Sequence, residues 1–184
     1  MDDFCRDYIL KNNARLMVRA AREDDAAALD ALLRAAGGES DNLSFGAEDY
    51  PYSVEIERAR IAQARSAPGG LMLLAFVNDA PAAYLSLLPE PRRFCRCAEL
   101  AICVRKAYWR QGVGRILMQE AISQARACGA LHSIFLTVNA ENAGGIRLYR
   151  ECGFREYGRY CEHAWYKGAY HDTLLMNLYL EDPS

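Results

Sequence analysis

Between residues 99 and 128 the hydrophobic pattern of the chain changes period. Leu100, Ile102 and Val104 alternate with Glu99, Ala101 and Cys103, which predicts a strand with two unlike faces. From Gly112 the apolar residues Val113, Ile116, Leu117, Ala121, Ala125 and Cys128 return every three or four positions, with Arg115, Gln119, Ser123 and Arg126 on the other side. That spacing predicts an amphipathic helix. After the helix stop at Gly129, Ile134, Leu136 and Val138 alternate with Phe135, Thr137 and Asn139. A strand, a helix and a second strand then make a parallel βαβ unit, right-handed by the usual rule.

The same reading places a strand at 16–20, an acid-started helix over 22–36 ended by Gly37 and Gly38, and a helix at 53–66. Strands at 71–77 and 80–88 flank an Asn78-Asp79 turn. Downstream, Asn142 caps a helix that stops at Gly153, and strands at 155–160 and 173–180 form a final hairpin around a 160–172 loop. Residues 1–14 are mixed and polar; they read as an N-terminal arm with a short helix through Phe4, Tyr8 and Ile9, outside a single α/β domain over 15–184.

Composition narrows the classes. The net charge of −2 removes the basic excess of a nucleic-acid surface. No apolar run approaches the roughly 20 residues of a membrane span, and the acid-containing start lacks a secretory core. The seven cysteines are odd in number and several sit on apolar faces, so neither a disulfide framework nor a catalytic cysteine is expected. No CxxC or HxxxH spacing marks a metal site. The expectation is a cytoplasmic protein with no metal, acting on a small molecule or peptide.

The glycine-bearing strand-to-helix junction carries the first candidate chemistry. First-turn N–H groups lack internal partners and the helix dipole adds partial positive charge there. Gly112 and Gly114 remove Cβ atoms from the approach, and Arg110 and Arg115 add full charges. A pyrophosphate suits such a cradle; a plain tight connection fits the same residues. A dinucleotide fingerprint needs a third glycine where Leu117 stands, and a P-loop needs Gly-Lys-Ser/Thr. Neither is present.

Three spaced motifs extend the reading. Trp109-Arg-Gln-Gly112-Val-Gly114 resembles the acyl-CoA pyrophosphate loop of the GNAT family of N-acetyltransferases, with Trp109 in the Gln/Arg position. Asn142, Leu148, Tyr149, Gly153 and Phe154 match the Asn-x-x-Ala-x-x-Leu-Tyr-x-x-x-Gly-Phe of that family, with Gly145 where alanine is usual. Gly168, Tyr170, Asp172 and Met176 resemble the ending of its ribosomal-protein and polyamine branch.

The resemblance implies a mixed, mostly antiparallel sheet of about seven strands with helices on both faces, splayed between two central parallel strands. It implies an acetyl group passed from acetyl-CoA to a primary amine (a small molecule, polyamine or peptide N-terminus) by direct attack in a ternary complex. A CoA-binding sensor or structural relative without turnover is the alternative. The implied cofactor contacts are Ile102, Cys103, Val104, Arg110, Gln111, Gly112, Val113, Gly114, Arg115, Asn142 and Tyr149. The resemblance also puts Tyr149 near the cofactor sulfur, where a phenol can reprotonate the thiolate.

Glu99, the one carboxylate on its strand, is the candidate base; a charge at a strand end is the equal alternative. Acids at 39, 41, 48, 49, 55 and 57 face a single Arg58; they form either a solvated face or a wall for a cationic acceptor. Acceptor specificity is expected from the loops at 37–55 and 160–172. Neither nucleic acid nor membrane is expected as a partner, and a homodimer is compatible with the pattern.

Overall fold

The computed structural model describes residues 4–180; the first three residues of the arm and the last four of the chain lie outside the described residues. In chain order the elements are β1 (Cys5–Ile9), β2 (Arg15–Ala20), α1 (Ala26–Gly37), α2 (Val54–Ser66), β3 (Leu71–Val77), β4 (Ala80–Pro89), β5 (Cys97–Val104), α3 (Val113–Cys128), β6 (Ser133–Asn139), α4 (Ala143–Glu151), β7 (Arg155–Tyr166) and β8 (Ala169–Tyr179). The strands form one eight-stranded sheet in the order β1-β2-β3-β4-β5-β6-β8-β7.

Two layers of core follow from two periodicities. Leu117, Met118, Ala121 and Ala125 of α3, with Ile146 and Tyr149 of α4, pack on Leu85, Leu100, Ile134, Leu136 and Met176 of the sheet. On the opposite face Leu29, Leu32 and Leu33 of α1 and Ile61 of α2 cover Met72, Leu74, Tyr84 and Cys103. β3 lies between both layers and is buried at every position, so it shows no alternation. Ser53 caps α2 by accepting from the Ile56 N–H, and Gly129 ends α3 at φ 66° with its N–H on the Ala125 carbonyl. Arg115, Gln119, Ser123 and Arg126 face solvent as expected, while Cys128 is exposed rather than buried.

Two expectations are corrected. Residues 5–9 are not helical: Cys5 pairs with Arg19 and Ile9 with Arg15, adding an eighth strand. Arg6 and Tyr8 then reach Glu120 on α3, so polar side chains, not an apolar stripe, place this strand. The 160–172 segment is not a loop, because β7 and β8 run on to a turn at Lys167 and Gly168. Almost every β7 side chain is exposed, which leaves no hydrophobic period to mark the strand.

The sheet opens where the two parallel strands meet. β5 and β6 pair only at Cys97 with Ser133, Ala98 with Ile134 and Glu99 with Phe135. Beyond Glu99 they separate, although β5 runs on to Val104.

Candidate functional site

The opening is edged by backbone. Arg105 N–H donates to the Ala82 carbonyl at 2.9 Å, and Tyr84 pairs with Cys103 in the same ladder. Alternation along an antiparallel ladder therefore turns the N–H and C=O groups of residues 103 and 101 toward β4 and those of Ile102 and Val104 toward the gap. Of the three residues expected to make backbone contacts, Ile102 and Val104 turn their N–H groups to the gap. Cys103 does not; it contributes its buried thiol, pushed up to about 12 chiefly by burial and then by Glu39.

Beyond β5 the chain makes a short turn at residues 106–108 and enters α3 through Gly112, which is left-handed at φ 92°. A Cβ built on Gly112 would meet nothing within 4 Å, so the space in front of the helix is open. Gly114 has another reason to be glycine: its Cβ would stand 3.3 Å from Leu148 and 3.5 Å from Val104. It lets α3 lie close to α4 and β5. The amides of Val113, Gly114 and Arg115 occupy the first turn and have no helical acceptor.

The side chains of this turn are less available than their charges suggest. Gln111 donates to the Ala107 carbonyl at 2.8 Å and accepts from Asn12 at 2.9 Å. Arg115 is paired with Glu151, which also holds Arg147 at 2.9 Å. Arg110 alone of the three is exposed with no partner among the described residues. The indole N–H of Trp109 donates to the Val104 carbonyl at 2.6 Å, closing the turn onto the strand end. Glu39 holds Arg105 and the Lys106 N–H from outside; its carboxyl lies below its ordinary range because of Arg105, against burial, with the Lys106 N–H adding to the effect. Neither Trp109 nor Glu39 was marked for such a role by the sequence: an indole donor has no spacing rule, and Glu39 lies far from the turn along the chain.

Asn142 caps α4 as expected, accepting from the Gly145 N–H at 2.9 Å. Its amide lies 2.6 Å from where a Gly145 Cβ would be, so an alanine there would require the Asn142 side chain to shift. Tyr149 is buried on α4, and burial, followed by the neighbouring thiols of Cys103 and Cys152, pushes its phenol up to about 12. Cys103 points to the α1/α2 layer whereas Tyr149 belongs to the α3/α4 layer.

Glu99 is exposed on the last paired rung and faces the same side as Cys103. They are four positions apart, about 13 Å along a strand. Its carboxylate has no partner among the described residues. Together these groups offer an open anion cradle, free amides for an extended amide-bearing arm, a neutral phenol and, two pleats from Cys103 along β5, a carboxylate.

Comparison with known proteins agrees. The model of the acetyltransferase (GNAT) family matches residues 38–154. The spermidine N(1)-acetyltransferase of Vibrio cholerae is 35% identical over 102 residues, 54% of this chain and 59% of that protein. The chain thus spans less than two thirds of that relative's length. A GNAT-family acetyltransferase from Streptococcus pneumoniae superposes with a TM-score of 0.85 at 30% identity, covering 89% of this chain and 99% of the other. A Salmonella typhimurium protein solved with its cofactor acetyl-CoA superposes at 0.80 and 24% identity, over 92% and 96%.

Proposed function

Because the chain belongs to the acetyltransferase (GNAT) family, we propose that it transfers an acetyl group from acetyl-CoA to a primary amine by direct attack. The observation that carries this reading is the opening between β5 and β6, with the Ile102 and Val104 amides on its edge and the open Gly112 cradle at its end. Acetyl-CoA would supply the acyl group as an activated thioester.

The residues divide the work. Amides of Val113, Gly114 and Arg115, with the unpaired Arg110, hold the pyrophosphate. Ile102 and Val104 hold the pantetheine arm, and Asn142 shapes the start of α4 beside it. Tyr149, kept protonated by its surroundings, gives its proton to the departing thiolate. Glu99, exposed and without a partner among the described residues, receives the ammonium proton through water. Binding an acceptor beside a polarised carbonyl replaces a bimolecular encounter by an oriented one.

The acceptor is a small-molecule amine, a polyamine or a peptide N-terminus. The seven cysteines, carried as free thiols, fit a cytoplasmic setting. We extend the reading to a homodimer, supported by the edge strand β7, on which Tyr157, Tyr160 and Trp165 are exposed; sedimentation at two concentrations tests it. For the activity, calorimetry with acetyl-CoA followed by turnover over an amine panel is decisive. Binding with turnover is expected. Binding without turnover on any amine would make the protein a CoA sensor, and no binding would remove the reading.

A further inference from the structure

Glu39 makes a three-point contact with the start of the cofactor turn. Its Oε1 accepts from Arg105 Nε at 2.9 Å and lies 2.7 Å from Arg105 Nη2; its Oε2 accepts the Lys106 backbone N–H at 2.6 Å. Lys106 opens the single helical turn at 106–108, and the residue before it, Arg105, offers no side-chain cap. Its N–H is therefore an orphan donor of a helical start. A carboxylate 67 residues away satisfies it.

The charge of Glu39 works against an anion site, so attraction is not its use. Its pairing with Arg105 cancels that charge locally, and what remains is geometry: a charge-assisted, two-oxygen clamp on the first residues of the turn. The far side of the turn is fixed by Trp109 on Val104 and Gln111 on Ala107. Between these points the chain reaches Gly112 and the free amides of α3. Two residues beyond Glu39, Asp41 pairs with Lys167 at the tip of the β7–β8 hairpin, so the loop after α1 spans from the cofactor turn to the opposite wall.

We infer that Glu39 is a positioning residue for acetyl-CoA: it holds the turn in the shape in which the Val113, Gly114 and Arg115 amides converge on the pyrophosphate. The inference rests on reading that turn as the pyrophosphate site. A loop strap without this role would change stability and leave cofactor recognition alone.

Two ligands separate the cases: acetyl-CoA, and S-acetylpantetheine, which has the thioester arm without the pyrophosphate. In calorimetry Glu39→Ala is expected to weaken acetyl-CoA about tenfold. Glu39→Gln, which keeps an acceptor for the Lys106 N–H but loses the charge, is expected to weaken it about threefold. Binding of S-acetylpantetheine should stay within roughly twofold for both, and the ligand-free melting temperature of Glu39→Gln should stay close to the parent's. Unchanged acetyl-CoA affinity in either folded variant overturns the inference; so does an equal loss for both ligands, which would mean general loosening. Should Glu39→Ala not fold, Glu39→Gln carries the same comparison. A parent that fails to bind acetyl-CoA removes the pyrophosphate assignment itself, a result distinct from both.

Discussion

Trp109 donates its indole N–H to the carbonyl of Val104 at 2.6 Å, tying the turn before α3 to the end of β5. That carbonyl points into the opening and has no strand partner, so the indole satisfies an otherwise orphaned acceptor. Trp109→Phe keeps the ring and removes the donor. It should cost about 1 kcal/mol of stability and weaken acetyl-CoA several-fold, because the turn gains freedom. Full affinity in calorimetry would show that the turn holds its shape without the indole.

Gly112 and Gly129 bracket α3, both left-handed and both with open space around a built Cβ. Alanine at either position carries a backbone penalty of roughly 1–2 kcal/mol, the larger at Gly112, whose φ of 92° lies farther from the left-handed region open to other residues than the 66° of Gly129. Both variants should therefore melt below the parent, Gly112→Ala by somewhat more, yet Gly112→Ala alone should weaken acetyl-CoA. Equal affinity in the two variants would reduce the Gly112 turn to a connector.

What the sequence made legible follows the periodicities. The strand, turn and helix from Glu99 to Cys128 were readable because each face of β5 and α3 meets a different environment, and the caps at Asn142 and Gly129 behave as their chemistry demands. The ends of the sheet were not readable. Tyr8 and Arg6 hold β1 through Glu120, and β7 is bare on both faces, so neither strand carries an apolar alternation. In the site, the free backbone amides could be located from strand register, but the commitments of Gln111, Arg115 and Glu39 depend on partners far along the chain. Charge in the sequence did not distinguish an available guanidinium from a paired one.

Tyr149 should set the rate without setting cofactor affinity. Tyr149→Phe removes one proton donor and is expected to lower kcat on the order of a hundredfold, with little change in the Kd for acetyl-CoA. The donor is the protonated phenol, present below its raised value of about 12 and lost only above it. No alkaline fall of kcat is therefore expected between pH 7 and 10, where an unperturbed tyrosine with its ordinary value of 10.0 would begin to fail. A fall beginning near pH 9, absent in Tyr149→Phe, would place the phenol in a wetter setting than the structure gives it. Full kcat in the variant would make the side chain a packing residue.

The acids of the loop after α1 bear on the acceptor. A wall attracting cations needs uncommitted carboxylates, yet Glu39 is held by Arg105, Asp41 by Lys167, and Asp49 by the Gly46 N–H. Of the four acids at 39, 41, 48 and 49, Glu48 alone has no partner among the described residues. The parent should then show little preference for a diamine over a monoamine of similar size, and added salt should change the ratio of their KM values by less than about twofold. Asp41 and Lys167 are both well exposed, so their pairing is weak and exchangeable. Lys167→Ala should free Asp41 and lower the KM for diamines by about two- to fivefold at low salt, leaving monoamines unchanged. The added double variant Lys167→Ala/Asp41→Asn should return to the parent value. A parent that already favours diamines strongly, with salt erasing the preference, would mean that the acceptor displaces Lys167 and takes Asp41 for itself; no effect of Lys167→Ala on any amine would put Asp41 away from the acceptor path.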